Sequence, residues 1–223
     1  EKSSQRLSLD ILCLRGTVKK ICTSPYKPKK PWTIYVAHFK GSLYIIPASF
    51  DPQTVKTEDR SDLWGNKFEQ YLKVDPDEIL DPNEEYRSVL RLAVGGHSLL
   101  YSPEIDCADP DAYLEDHKDM AAFVLIKCIK DATRNSFYYQ QSRLSDWWLD
   151  NMLTGIPRII VGNCSPDGLV HTIEHLKTED LPALGENKWE PNVYINFLVS
   201  FFEFREAEKW QRTQQLFTSL NAG

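Results

Sequence analysis

The sequence predicts an α+β fold, with antiparallel strand pairs and interspersed helices instead of a doubly wound parallel sheet. Two turn dipeptides carry much of this prediction, because Lys40-Gly41 and Gly95-Gly96 each separate two strand-like runs at hairpin distance. Two longer segments, 137–153 and 191–210, place apolar residues at helical spacing. One chain therefore combines β-hairpins with amphipathic helices.

Each predicted element follows from the local period of apolar residues and from the turn residues that bound it. In the first half, strand-like alternation covers 7–21, hairpin strands cover 32–39 and 42–46, a helix covers 63–72, and a second pair of strands covers 86–94 and 98–106. In the second half, an acidic loop covers 107–119, a buried strand 122–129, a helix 137–153 that ends at Gly155-Ile156-Pro157, a hairpin 158–162 and 169–175, and an amphipathic helix 191–210.

Bulk composition is that of a globular protein. The chain has 223 residues, 42% hydrophobic content and a formal net charge of −6, and no apolar run is long enough to span a bilayer. We expect one domain over 1–223 and no membrane partner. The five cysteines are widely spaced without a CxxC pair, which argues against a disulfide framework and a zinc site. A reducing, intracellular compartment fits, since no signal-peptide pattern follows Glu1.

Nucleic-acid binding would have to be local, because the surface as a whole is acidic. The dense basic segment consists of Lys19-Lys20 followed by Lys27, Lys29 and Lys30. Prolines interrupt this segment and make it irregular and exposed. It is either an edge that contacts phosphates or a solvated loop.

Two tripeptides in strand-like surroundings carry the chemistry. Residues two apart share a face of a strand, so Glu104 and Asp106 would point together, as would Leu125 and Lys127. Two carboxylates on one strand, with an acid and a lysine on its neighbour, would form a Mg²⁺ site for phosphodiester cleavage. Here an aliphatic Leu125 stands where such a site needs the acid.

Plainer interpretations exist for each residue alone. Glu104 and Asp106 could be a solvated strand end, and Glu69 a surface charge on its helix. Lys127 inside an apolar strand must either reach a carboxylate or extend to water. Trp147-Trp148 favours core packing over an RNA-stacking role. The separate interpretations do not predict that all of these groups occur together in this order. Their co-occurrence therefore favours a functional site over a set of unrelated surface and core residues.

The ordered motifs resemble the DXO family of 5′-end RNA decapping and exoribonuclease proteins. The resemblance extends over nearly the whole chain. Its motifs are Leu14-Arg15-Gly16, Gly65-Asn66-Lys67-Phe68-Glu69, Glu104-Ile105-Asp106-Cys107, Leu125-Ile126-Lys127, Trp147-Trp148-Leu149-Asp150, Gly155-Ile156-Pro157, Ile159-Ile160-Val161-Gly162, Asp167-Gly168, Trp189-Glu190-Pro191-Asn192-Val193 and Asn196-Phe197.

The resemblance implies two packed mixed β-sheets with surrounding helices, a PD-(D/E)xK nuclease-like core, and an RNA 5′ end that enters a pocket between the sheets. It also implies further residues at both ends of the chain. The residue roles that it implies are metal-binding acids at Glu69, Glu104 and Asp106, a catalytic lysine at Lys127 and a substrate-binding arginine at Arg15.

Two positions depart from the family pattern. Leu125 replaces a metal-binding glutamate, and Asp150 replaces a glutamine that helps to hold substrate and water. Only Asp150, from a facing helix, could restore the lost charge. We therefore expect a divergent, catalytically impaired or inactive member that binds or protects RNA 5′ ends in the nucleus, together with a 5′-3′ exonuclease or another nuclear complex.

Two alternatives stay open at this stage. One is an active decapping hydrolase and 5′-3′ exoribonuclease that uses Mg²⁺ or Mn²⁺ and removes incomplete or NAD caps. The other is a protein-interaction scaffold without RNA binding, which the net charge of −6 favours.

Overall fold

The structure is a computed structural model, and it describes residues 9–48, 60–73, 86–116, 118–134 and 136–207. Two mixed β-sheets with helices confirm the predicted α+β class. The strands are β1 (Ile11–Leu14), β2 (Ile34–Phe39), β3 (Ser42–Pro47), β4 (Leu90–Val94), β5 (His97–Ser102), β6 (Cys107–Ala108), β7 (Phe123–Lys130), β8 (Arg158–Cys164) and β9 (Val170–Lys177). The helices are α1 (Arg15–Thr23), α2 (Arg60–Leu72), α3 (Pro110–Glu115), α4 (Leu144–Thr154), α5 (Leu181–Leu184) and α6 (Pro191–Ala207).

The chain divides into two compact units. The first contains Glu1–Gln53, Val89–Pro103 and Asn192–Gly223, and the second contains Thr54–Ser88 and Glu104–Pro191. The expectation of one domain over 1–223 stays a prediction. None of the described helices is long and apolar enough to cross a membrane.

The first unit is built on a five-stranded sheet of order β2-β3-β1-β5-β4, in which β1 runs parallel to both neighbours. Both predicted hairpin turns are confirmed. Lys40 and Gly41 have φ values of 49° and 88°, and Gly95 and Gly96 have 56° and 83°. Two consecutive left-handed residues give the two-residue turn whose twist matches that of the flanking strands.

The prediction of strand structure over 7–21 is wrong beyond Leu14, where α1 begins. Val18, Ile21 and Cys22 are buried, and their spacing of three and four residues is that of one helix face. Helical spacing therefore overrides the short-range alternation. The Cys22 thiol lies near Cys13 on β1, and its burial raises its pKa to about 12.

The second unit is built on a four-stranded sheet of order β6-β7-β8-β9, with β7 parallel to β8. The predicted strand over 122–129 and the predicted hairpin of β8 with β9 are confirmed. The predicted helix over 137–153 contains a π turn at Tyr139–Arg143 before α4. Gly155, with φ of 80°, ends α4 as predicted. Trp147 and Trp148 are core residues, only 4% and 9% exposed.

Two further predictions around the acidic motif are wrong. Strand β5 ends at Ser102, so Glu104 and Asp106 lie beyond it instead of on it. Residues 107–119 contain β6 and α3 instead of a continuous loop. Asp109 caps α3 by accepting hydrogen bonds from the backbone N–H groups of Asp111 and Ala112, so an acidic residue here starts a helix. The part of the 191–210 prediction beyond 207 lies outside the described residues.

Candidate functional site

Asp106 connects the acidic motif to β7. Its Oδ2 atom accepts a hydrogen bond from the backbone N–H of Ile126 at 2.8 Å and another from Lys127 Nζ at 3.0 Å. The Asp106 side chain is only 9% exposed, whereas that of Lys127 is 30% exposed. Of the two predicted states of Lys127, the structure shows the one that is paired with a carboxylate.

Helix α2 is fixed to the sheet by two close approaches of rings to glycines. A Cβ atom added at Gly162 on β8 would lie 2.8 Å from Cζ of Phe68, and one added at Gly168 would lie 2.6 Å from the Trp64 ring. Phe68 also packs against Val124 and Ile126 of β7. The glycines in the family motifs therefore allow α2 to lie close to the sheet, which positions Glu69 in the next place along the helix.

Glu69 is paired with a lysine that the motifs in the sequence did not indicate. Lys73 Nζ lies 2.8 Å from Glu69 Oε1, one helical turn away. Desolvation acts to lower the pKa of Lys73, but the hydrogen bond to Glu69 and the charges of Glu69, Cys107 and Asp106 outweigh it and raise that pKa. The spacing of four residues between an acid and a lysine was the available signal.

The same charges reach Cys107. Burial raises the pKa of its thiol, Lys73 acts to lower it, and Glu69 and Asp106 act to raise it. The charges of Glu69 and Asp106 therefore both act on Lys73 and on Cys107.

Glu104 lies in the same stretch of chain. It forms an isolated antiparallel bridge with Arg87, and the N–H of the following Ile105 donates to Tyr86 O at 3.0 Å. Ile105 is buried, whereas Glu104 and Asp106 on either side are half-buried. The common orientation of the two acids stays a prediction.

Leu125 occupies the position at which the family resemblance implies an acid, and it belongs to the apolar core. It is 2% exposed and lies opposite Ile159, which is fully buried. Asp150, the other departure from the family pattern, is 7% exposed on α4. Leucine has no lone pair for a metal ion, so this end of β7 supplies packing instead of a ligand.

The predicted metal ligands do not fit a divalent ion as their side chains lie. Asp106 is held by Lys127 and Glu69 by Lys73. Across the described ranges, no group of three or more His, Cys, Asp and Glu side chains could hold a metal ion. The assignment of Glu69, Glu104 and Asp106 to metal binding stays a prediction.

Arg15 lies in the first unit, at the first position of α1, and is half-buried. The other retained residues, Glu69, Glu104, Asp106 and Lys127, lie in the second unit. The structure thus brings Glu69, Asp106 and Lys127 into one neighbourhood of the second unit, and the role of Arg15 stays a prediction.

A family model described as RAI1 like PD-(D/E)XK nuclease matches residues 1–218. The chain belongs to this family. It is 34% identical over 219 residues to the decapping and exoribonuclease protein of Xenopus laevis, and the match covers 89% of this chain and 54% of the relative. The chain thus spans about half the length of the curated relatives that it matches.

Solved RAI1 structures share the fold. Rai1 of Scheffersomyces stipitis, in complex with (3′-NADP)⁺ and calcium ion, has a TM-score of 0.77 at 21% identity, with 92% of this chain and 62% of that chain covered. Rai1 of Candida albicans, in complex with pU5-Mn²⁺, has a TM-score of 0.75 at 21% identity, with 93% and 64% covered. The PD-(D/E)XK nuclease-like fold expected from the motifs is therefore confirmed.

Proposed function

We propose that this chain is a catalytically impaired DXO-like protein that binds or shields RNA 5′ ends instead of hydrolysing them. The observation that carries the proposal is Leu125, which is buried in the core of β7 at the position of the acid in the family's acid-x-lysine motif. Family membership supports RNA as the ligand, and one fungal relative holds pU5 and Mn²⁺.

The chemistry of a two-metal site supports loss of catalysis. Such a site stabilises the attacking and leaving oxygens and needs bridging carboxylates to hold two ions about 3.5–4 Å apart. Leu125 removes one ligand, and Lys73 and Lys127 already neutralise Glu69 and Asp106. A missing ligand and displaced geometry commonly cost about 10²-fold or more in rate.

The retained groups suit the binding of a 5′ phosphate. Lys127 uses one of its three ammonium donors on Asp106 and is 30% exposed, so donors remain for a phosphate oxygen. Arg15 offers a planar fork of N–H groups that matches phosphate geometry. Lys127 would bind the RNA terminus without transferring a proton, and the role of Arg15 in substrate binding is a separate prediction.

The wider setting is part of the same proposal. We place the protein in the nucleus, acting with a 5′-3′ exonuclease or another nuclear complex on RNA whose 5′ end it holds. Affinity purification of the full-length protein identifies such partners. The proteins that co-purify with the wild type are compared with those that co-purify with Lys127→Ala. A purely cytoplasmic distribution of the tagged protein would remove this part of the proposal.

A second candidate is an active Mg²⁺- or Mn²⁺-dependent decapping hydrolase and 5′-3′ exoribonuclease, because Glu69, Glu104, Asp106 and Lys127 are all retained. Incubation with triphosphate-, NAD- and unmethylated-cap RNA in Mn²⁺ separates the two. We expect no product above an EDTA control. Robust turnover by the wild-type chain would refute the proposal of impaired catalysis and support the active hydrolase. Turnover by only the Leu125→Glu, Asp150→Gln double variant would show that the defect lies at these two positions.

The third candidate, a scaffold without RNA binding, is tested by the affinity for 5′-labelled RNA at moderate salt. We expect Arg15→Ala and Lys127→Ala each to weaken binding. If the wild-type chain fails to bind and neither substitution changes the signal, the scaffold replaces the proposal.

A further inference from the structure

One face of the five-stranded sheet in the first unit is left open by the residues that the structure describes. Strand register fixes its members, because Tyr35 pairs with Ile46, Ala37 with Tyr44, and Leu12 with both Tyr44 and Leu100. Side chains alternate along each strand, so every second residue belongs to this face. Across the strands these residues are Tyr35, Ala37 and Phe39; Ser42, Tyr44 and Ile46; Leu12 and Leu14; Ser98, Leu100 and Ser102; and Arg91 and Ala93.

The opposite face is covered. Ile34 and Ile45 on that face are 1% and 2% exposed. The ring of His97 lies 5.4 Å from that of Phe202 on α6. By contrast, Tyr35, Phe39 and Ile46 on the open face are 42%, 57% and 48% exposed. Among the described residues, the helices α1 and α6 thus cover one face only, and the other presents aromatic rings to solvent.

The charge of this region is opposite to that of the rest of the chain. Residues 11–48 contain seven lysines and arginines and no aspartate or glutamate. The total of −6 then leaves −13 for the remaining residues. Arg15, Lys19 and Lys20 lie on α1, and Lys27, Lys29 and Lys30 follow it, so of the seven only Lys40 lies beside the open face. The segment as a whole is complementary to a polyanion.

Two cations lie on the open face itself. Lys40 Nζ is 5.2 Å from the centroid of the Phe39 ring, and that ring lies 6.3 Å from Tyr44 in an edge-to-face arrangement. At the other side of the sheet, Arg91 Nε donates to Ser98 Oγ at 2.8 Å. The acid that borders this face, Asp10, accepts a hydrogen bond from the backbone N–H of Ser98.

We propose that this open face is a stacking platform for the body of a single-stranded RNA, downstream of its 5′ end. The inference rests on the proposed RNA-binding function and adds a second contact surface to it. Exposed aromatic rings stack on bases without regard to sequence, and cations beside them follow the phosphates. A protein partner would use the aliphatic part of the face, but the exposed rings with Lys40 beside them favour RNA.

The test compares RNA that has a 5′ end with RNA that has none. Fluorescence anisotropy is measured on the whole chain with a linear 5′-monophosphate oligouridine and with a circular oligouridine of equal length. Tyr35→Ala and Phe39→Ala remove the rings, and Lys40→Glu reverses the charge. Phe137→Ala is the matched ring control, because Phe137 is a 61% exposed aromatic of the second unit. Lys118→Glu is the matched charge control, as another exposed lysine of the second unit.

We expect each ring removal to weaken both RNAs by about tenfold, whereas Phe137→Ala changes neither. Lys40→Glu should weaken both RNAs and reduce the salt dependence of binding, and Lys118→Glu should do neither. Circular dichroism verifies that the exposed substitutions leave the fold intact.

The outcomes separate this inference from the proposed function. If Tyr35→Ala and Phe39→Ala leave both affinities unchanged, the platform is refuted, while binding of the linear 5′ end can persist. If both RNAs bind equally well and depend on Tyr35 and Phe39, the platform stands and 5′-end recognition fails. If Tyr35→Ala and Phe39→Ala abolish the co-purification of a protein but leave the affinity for both RNAs unchanged, the open face binds a protein instead of RNA.

Discussion

The two sheets differ in how their strands are buried. On β7 in the second unit, Leu125 and Ile126 are 2% and 4% exposed, so successive residues are buried on both faces. On β3 in the first unit, Ile45 is 2% exposed and Ile46 is 48% exposed. One strand is enclosed, and the other is covered on one side only.

The difference is relevant to our proposal that the protein has lost catalysis and kept RNA binding. A charge on an enclosed strand is costly unless a partner compensates it, so an aliphatic replacement is tolerated there even though it removes a ligand. On an open face, polar and charged side chains stay hydrated and aromatic rings stay accessible, so these groups do not need a buried partner. In our proposal, catalysis would require an acid on the enclosed strand, whereas RNA contact depends on the open face.

The largest expected effect is that of restoring the acid. We expect Leu125→Glu to lower the free energy of unfolding by about 3–5 kcal/mol in EDTA, because it buries a carboxylate. Mn²⁺ should recover part of the loss by binding the folded state. Urea denaturation, monitored by tryptophan fluorescence, measures the free energy of unfolding with and without Mn²⁺. The volume-conserving variant Leu125→Met is the control. Equal stability of the two variants in EDTA would show that the site is less enclosed than its burial indicates.

Adjacent residues of β3 give the next largest effect. We expect Ile45→Ala to cost about 2–5 kcal/mol, as for a buried aliphatic side chain. Ile46→Ala should cost no more than about 0.5 kcal/mol, as for an exposed position. Both follow from urea unfolding curves. A large cost at Ile46 would mean that some part of the chain covers the face that we describe as open.

The attachment of α2 can be tested at Gly162. A methyl group there would meet the Phe68 ring, so we expect Gly162→Ala to cost about 1–3 kcal/mol and to shift Glu69. Gly16→Ala is the control, since its added Cβ would have no atom within 4 Å and alanine favours the helix α1. A Phe68→Leu change added to Gly162→Ala should recover part of the loss. The expectation is refuted if the two glycine variants are equally stable.

The smallest effect is a pH dependence in the second sheet. The hydrogen bond to Arg134 lowers the pKa of Glu174 below its usual 4.5. The folded state therefore gains stability above the unfolded pKa and loses it as the pH falls through the folded pKa. Both side chains are about one-third exposed, so we expect no more than about 1 kcal/mol. Thermal unfolding between pH 6 and 3 should show a smaller fall in melting temperature for Glu174→Gln than for the wild type. Identical pH profiles of the two proteins would contradict this expectation.

Local signals in the sequence were sufficient for the hairpins and the buried strand. Lys40-Gly41 and Gly95-Gly96 specify their turns through backbone conformation. The apolar run around Lys127 is short, and this length indicates a buried strand. The order of the motifs predicted the fold, whereas the joint role of Glu69 and Asp106 stays a prediction.

The features that sequence reasoning missed depend on tertiary contacts. The boundary between β1 and α1 is set by what Val18 and Ile21 pack against, and alternation in a short window cannot distinguish this from a strand. The place of Asp106 beyond β5 depends on its bonds to Ile126 and Lys127. The open face could not be predicted, because which side of a sheet the helices cover is decided by chain segments far apart in sequence.

The burial of Leu125 also bears on the history of the protein. A leucine packed opposite Ile159 contributes to stability, whereas a metal-binding acid in the same place is maintained only by selection for activity. Once neighbouring side chains have adjusted to the leucine, reversion first lowers stability before any ion can bind. If the chain has lost catalysis as we propose, each later change that improves the packing around Leu125 makes a return to nuclease activity less accessible.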